Sequence, residues 1–336
     1  MRYRAFGRTG LEVSEVGFGG AGIGHAWGPT TEEAATSAVR RAVELGITFF
    51  DTSPVYGAGR SEDNLGAGLD GLRDRVAIAT KVRLDSEDEL ADMRSAIRTS
   101  VERSLARLRT DRIDILQIHH QVGRERGRYL AVAAPPRHAL RLTGEDCLAF
   151  AEAARPLIDE GTVGSLGITA WDGDGAVVRS VLESGAFASA QVLYNLVNHS
   201  AAGPPPAGFD DIDQGEALVA ARETGTGVIA IRSHAAGALA DRLDREVAPG
   251  SDVARDHARA RGLGFMRSDQ LSTLSAVALR FCLDNADIAT VVPGFKSVAE
   301  VEEAVRVADA APLDGAKVAE LGRLYRRQFA DQRIFR

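Results

Sequence analysis

The chain is 336 residues long, carries a formal charge of −7, and is 45% apolar and 26% charged. It has no surplus of Lys and Arg to neutralise phosphates, which argues against a nucleic-acid partner, and no run of about 18 apolar residues to span a membrane. Met1–Gly7 lacks the apolar core of a secretory signal, and Cys147 and Cys282 stand far apart without metal-type spacing. The chain therefore reads as a cytoplasmic protein with reduced thiols.

A short hairpin is predicted first, Tyr3–Phe6 against Leu11–Val13, turning at Arg8-Thr9-Gly10. Eight short apolar runs follow, at 15–20, 47–51, 76–81, 113–119, 163–169, 189–193, 227–232 and 289–293. Stretches with helical spacing fill most of the intervals. Ala35, Ala38, Ala42 and Leu45 keep one face, with Thr30 and Glu33 as a capping box and Gly46 as a stop. Leu90, Met93, Ile97, Val101, Leu105 and Leu108 mark one long helix capped by Ser86 and Glu89. Val301, Ala304, Val305 and Ala308 follow the same device at Ser297 and Glu300.

Strands that alternate with helices pair in parallel, and continuous apolar strands are buried on both faces. The predicted fold is α/β: a (β/α)8 TIM barrel with a short N-terminal β-hairpin, one domain over 1–336. A doubly wound sheet is the competing architecture. Gly17-Phe18-Gly19-Gly20-Ala21-Gly22 superficially suits its first turn, but no acidic strand end follows about 20 residues later. These glycines are read as allowing tight turns and close approach of a ligand. Two long loops, 121–143 after the fourth strand and 233–268 after the seventh, lie on the carboxyl-end side, where barrel enzymes build their sites. The second is expected to hold a short helix within Asp252–Arg261.

Three strand ends carry ionisable groups. Asp51 closes Phe49-Phe50-Asp51, and Tyr56 follows five residues later. Lys81 closes Val76-Ala77-Ile78-Ala79-Thr80-Lys81, and His119 closes Ile113–His119. Such a set moves a proton at a carbonyl. The ordinary tyrosine pKa of about 10 makes that residue a reluctant acid–base group at neutral pH. A nearby ammonium lowers it, and Lys81, held by Asp51, is the candidate. A neutral imidazole at His119 would orient the carbonyl oxygen. Alone, each residue has a duller reading: a turn Asp, a loop Tyr, a surface Lys, a core His. Lys at the end of an apolar strand is the least dull, because its desolvated charge needs a partner. Strand neighbours face opposite sides, so His120 is placed at the pocket rim or as a loop cap, and a His-His metal pair is not expected.

Asp51-Thr52-Ser53-Pro54-Val55-Tyr56-Gly57 with downstream Ser61-Glu62, then Ala79-Thr80-Lys81, then Asp114–His119 resemble the aldo-keto reductase family. The resemblance covers essentially the whole chain. It implies an oxidoreductase that moves a hydride between NADP(H), with NAD(H) second, and an aldehyde, ketone or sugar, using no metal. Tyr56 would be the general acid/base, activated by Lys81 and Asp51, with His119 orienting the substrate. On the cofactor side it implies Thr169, beside Ala170 where the family has an amide, and Gln191 for the carboxamide, with Asn195 or a water as a substitute for the missing amide. Ile231 stands at the family's stacking aromatic, with Arg232 as the replacement. The run Ala235-Ala236-Gly237-Ala238 would approach the pyrophosphate. Gly294, Lys296 and Ser297 would take the adenosine 2′-phosphate, with Glu300 occupied in the helix cap and Glu303 at the adenine.

The implied partner is a small carbonyl or sugar substrate, in a pocket walled by His25, Trp27, His120 and Trp171. Arg124, Arg126, Arg128 and Arg137 read as a solvated basic loop, with contact to an anionic or polyhydroxylated substrate as the alternative. The alternative function is a redox-sensing, slowly turning cofactor-binding protein resembling the β subunits of potassium channels. A metal-dependent barrel hydrolase lacks its His-x-His on the first strand. The sequence sets no oligomeric state.

Overall fold

The structure is a computed structural model that describes residues 1–26, 28–131, 137–169, 172–243 and 246–329. The strands are rich in β-branched and aromatic residues, which suit a pleated, buried backbone. They are β1 (Tyr3–Ala5), β2 (Glu12–Ser14), β3 (Phe18–Gly19), β4 (Phe49–Asp51), β5 (Ala77–Val82), β6 (Ile113–Ile118), β7 (Gly127–Ala131), β8 (Arg137–Arg141), β9 (Val163–Thr169), β10 (Ser189–Leu193), β11 (Gly227–Ile231) and β12 (Thr290–Val291). The helices are α1 (Glu32–Glu44), α2 (Arg60–Gly68), α3 (Glu87–Ala91), α4 (Met93–Leu108), α5 (Gly144–Asp159), α6 (Gly175–Glu183), α7 (Ala217–Thr224), α8 (Asp252–Ala260), α9 (Leu274–Leu283), α10 (Val298–Asp309) and α11 (Gly315–Arg326).

Among the described residues, eight parallel strands form one sheet in the order β12-β11-β10-β9-β6-β5-β4-β3. Parallel bridges Val16–Val291 and Gly19–Gly294 join its two edges. The result is a (β/α)8 barrel, as the alternation predicts. The β1–β2 hairpin seals its amino end. The Arg8 amide donates to Gly225 O, and the Ser14 amide to Thr48 Oγ1, both just ahead of strands. Phe6 enters the barrel edge-on to Phe49, centroids 5.3 Å apart, in a buried cluster with Val13, Ile115 and Ile229. The carboxyl end is left as the mouth.

Local differences have local causes. The cap of α1 is Thr31, not Thr30, whose hydroxyl donates to Lys296 O instead (3.2 Å). The long helix expected over 90–108 breaks at Asp92, because its carboxylate caps α4 by accepting from Ser95 N. The Ser86–Glu89 capping box forms as predicted. The 121–143 loop contains the antiparallel β7–β8 hairpin, and the 233–268 loop contains α8. Within the glycine run, Gly19 allows close backbone packing: a Cβ there would lie 2.5 Å from Pro293 O. Among the described residues no helix is long and apolar enough to cross a membrane.

Candidate active site

The parallel register sets Asp51 beside Ala79, and Lys81 beside Gln117. Asp51 and Lys81 therefore meet inside the mouth. The Lys81 ammonium donates to both Asp51 oxygens (2.8 and 2.7 Å) and to Thr52 O (2.8 Å). Asp51 Oδ1 also accepts from Gln117 Nε2 (3.0 Å) and Gln191 Nε2 (2.5 Å). Lys81 is 1% exposed. Burial pulls its pKa down most strongly, but the charge of Asp51, the proximity of Tyr56 and the hydrogen bonds to both together hold the ammonium above its ordinary pKa.

Tyr56 hangs over this pair on a loop pinned from both sides. Its amide donates to Ser53 O (3.1 Å), and its carbonyl accepts from Ser61 N (3.2 Å). Gly57 turns the chain at φ 65°, where a Cβ would fall 2.3 Å from Gly24 O. Ser61 Oγ donates to Gly20 O (2.7 Å) and lies 2.7 Å from Thr52 Oγ1. Buried Glu62 accepts from Thr80 Oγ1 (2.6 Å) and from Arg107 Nε (2.6 Å). The Ser61-Glu62 part of the motif is thus the brace that fixes the loop to β5 and α4. Glu62→Ala is expected to cost about 2 kcal/mol, because it strands a buried hydroxyl and a half-buried guanidinium. Urea denaturation checks this; a loss within the scatter of a neutral surface change contradicts it.

The Lys81 Nζ lies 4.8 Å from the Tyr56 ring centroid. The Tyr56 and His119 rings meet edge-on, 5.8 Å apart at 88°. The sequence leads one to expect a lowered tyrosine pKa. The structure places it above the ordinary value: burial dominates and Asp51 adds to it, against the Lys81 charge and its hydrogen bond. His119 Nδ1 is 3.1 Å from Ser53 Oγ.

His120 is corrected as a pocket residue. It is 3% exposed, Nε2 accepts from Leu84 N (2.8 Å), and Nδ1 lies 2.7 Å from Leu140 O. Burial pulls its pKa down to about 4. It fastens the β5 exit to the end of β8 and offers no nitrogen to a substrate. His25 Nδ1 faces Arg60 Nη1 at 2.9 Å. Trp27, Ala170 and Trp171 lie outside the described residues.

The residues implied for the cofactor lie on or follow β9, β10, β11 and β12, four neighbouring strands of the sheet. Thr169 ends β9, in register with Gln191, and its buried hydroxyl has no partner among the described residues. The Gln191 amide is engaged by Asp51. Asn195 does not substitute for the missing amide: its Nδ2 donates to Arg232 O, and its Oδ1 takes Val197 and Asn198 amides. Ile231 ends β11, and Arg232 follows at φ 55°. Gly237 closes a left-handed turn through Ala235 and Ala236. Exposed Gly294 precedes Lys296 and Ser297, the cap of α10. Glu300 accepts from the Lys296 amide (2.6 Å), so its carboxylate is occupied as expected. Glu303 is exposed on α10.

Sequence reasoning passed over Ser53 and Gln117, although both stand inside the quoted motifs. Among the described residues no His, Cys, Asp or Glu cluster suits a metal.

The barrel mouth thus holds a carboxylate-clamped lysine under a tyrosine, an arrangement that can move a proton. A profile described as the Aldo/keto reductase family matches residues 15–326. L-galactose dehydrogenase of Arabidopsis thaliana is 31% identical over 310 residues, 91% of this chain and 87% of that protein. Aldo-keto reductase AKR11C1 from Bacillus halodurans, in its holo form, has a TM-score of 0.73 at 25% identity, covering 97% of this chain and 96% of that one. An aldo-keto reductase from Klebsiella pneumoniae in complex with NADPH has a TM-score of 0.65 at 22% identity, with the same coverages. The chain belongs to the aldo/keto reductase family.

Proposed function

We propose that this protein is an NADP-dependent oxidoreductase that interconverts an aldehyde, ketone or sugar with its alcohol or oxidised form. The observation that carries the reading is the buried Lys81–Asp51 pair directly beneath Tyr56 and beside His119. The Thr169 hydroxyl at the mouth, without a partner among the described residues, fits a carboxamide. The Lys296-Ser297 start of α10 fits a phosphate, since a helix N-terminus presents free amides. NADPH, when bound, supplies the hydride for the carbonyl carbon. This chain's own work is to hold the substrate oxygen and to manage its proton. Tyr56 donates the phenolic proton to that oxygen in reduction and recovers it in oxidation. Lys81 stabilises the phenolate left behind, and Asp51 keeps Lys81 charged and in place. His119 Nδ1 lies 3.1 Å from Ser53 Oγ; the tautomer that takes Ser53 as donor and carries its proton on Nε2 is the one able to donate to a carbonyl.

The NADPH of the Klebsiella pneumoniae complex, and the sugar in the name of the Arabidopsis thaliana relative, support this choice of cofactor and substrate classes. Two experiments test the reading. Oxidation of NADPH is followed with a panel of aldehydes, ketones and sugars; turnover of a member of the panel is expected, and none of any member contradicts it. Lys296→Ala is expected to weaken NADPH binding about tenfold, by loss of a charged phosphate contact, and NADH binding much less. Equal losses in a fluorescence titration contradict the preference for NADP.

A further inference from the structure

One buried amide inside the barrel has the Asp51 carboxylate as its side-chain partner and no other among the described residues. Gln117 lies on β6, in register with Lys81 of β5 on one side and Gly167 of β9 on the other. It is 0% exposed, and its Nε2 donates to Asp51 Oδ1 (3.0 Å). Its Oε1 is buried and has no partner among the described residues. Gly167 makes the room: a Cβ there would fall 2.9 Å from Gln117 Cγ and 2.4 Å from Ser189 Oγ. A buried carbonyl oxygen without a donor costs stability, and an apolar side chain of the same shape would avoid that cost. Packing therefore does not account for an amide at this position. What the amide supplies is one N–H on Asp51.

We propose that Gln117 is a positioning residue for the proton transfer: by fixing the Asp51 carboxylate, it keeps the Lys81 ammonium beneath the Tyr56 phenol. The proposal rests on the catalytic reading of Tyr56, Lys81 and Asp51. Asp51 Oδ1 accepts from Lys81, Gln117 and Gln191, whereas Oδ2 accepts from Lys81. A carboxylate turns about its last bond unless its oxygens are held, and Lys81, bonded to both oxygens, follows that turn. The Lys81 Nζ lies 4.8 Å from the Tyr56 ring centroid, so its pull on the phenolate depends on where Asp51 sets it. Gln191 braces the same oxygen, but it is also the residue implied for the cofactor carboxamide. Gln117 is the brace with no second use. Its N–H also spreads the Asp51 charge, and that charge works against ionising Tyr56.

Gln117→Met removes the amide and keeps the length of the side chain. The single-turnover rate of NADPH oxidation with a carbonyl substrate of the wild type is expected to fall about tenfold, toward the lower end of what a hydrogen bond to a charged group is worth. KM should not change, because the side chain is fully buried. The urea midpoint should hold or rise, because no carbonyl is left unsatisfied and Asp51 keeps Lys81 and Gln191. A rate within about twofold of wild type, or a rate and a midpoint that fall together as they would for a merely structural residue, overturns the proposal. Gln117→Glu tests the contact a second way. A neutral carboxyl donates to Asp51 as the amide does, an ionised one repels it, and the Asp51 charge raises the pH at which it ionises. Turnover relative to wild type is expected to be highest at the acid end and to fall about tenfold as the pH rises. Asp51 on β4, Lys81 on β5, and Tyr56 and His119 beside them are common to both proteins, so the ratio isolates the new carboxyl. A ratio independent of pH overturns the proposal; Gln117→Met alone decides if Gln117→Glu does not fold. Tyr56→Phe in the same assay keeps the two readings apart. Turnover that survives it, or a wild type with none, refutes the catalytic reading, whereas turnover lost there but kept in Gln117→Met refutes the positioning role alone.

Discussion

Tyr56→Phe is expected to lower carbonyl reduction by about 10³-fold, within the usual range for removing a general acid. The substitution keeps the ring, so the edge-on contact with His119 and the packing over Lys81 survive. Only the donor is lost. Cofactor affinity should change little, because the phenol faces the Lys81–Asp51 pair. Steady-state kinetics and a nucleotide titration on the same sample measure both effects. A variant that retains more than a tenth of wild-type turnover shows that the proton comes from elsewhere.

Lys81→Met is expected to be damaging twice over. It removes the cation that stabilises the phenolate, and it leaves the Asp51 carboxylate buried with two amides and no counter-charge. Breaking a buried pair from one side costs about 3–5 kcal/mol. Asp51→Asn combined with Lys81→Met should recover part of that stability, because no uncompensated charge is left, while activity stays lost. Urea denaturation of the two single variants and the double variant gives the coupling. A Lys81→Met protein as stable as wild type, or a double variant worse than the sum, would show that the pair is not clamped as the distances indicate.

The barrel was legible because its signal is repeated eight times: each apolar run overlaps a strand, with ends within three residues of it, and 163–169 and 189–193 coincide with β9 and β10. The catalytic quartet was legible because chemistry that needs charge at a strand end breaks the apolar pattern, as at Lys81. What escaped were effects that depend on three-dimensional company. Asp92 looked like one polar residue on a helix, and only its free carboxylate at a turn makes it a cap. His120 looked available, but the fold brings Leu84 N and Leu140 O to its two nitrogens. The sign of the Tyr56 shift depends on burial outweighing one ammonium, a balance no motif encodes. Gln117 and Gln191, 74 positions apart in the chain, meet at one oxygen of Asp51 only because the barrel closes.

The most direct measurement is a fluorescence titration of the purified protein with NADPH and with NADH, joined to turnover of aldehydes, ketones and sugars by wild type and Tyr56→Phe. The expected result is saturable binding, tighter for NADPH, and carbonyl-dependent oxidation that disappears with the phenol. Failure to bind either nucleotide, or turnover that survives Tyr56→Phe, would contradict the proposed function.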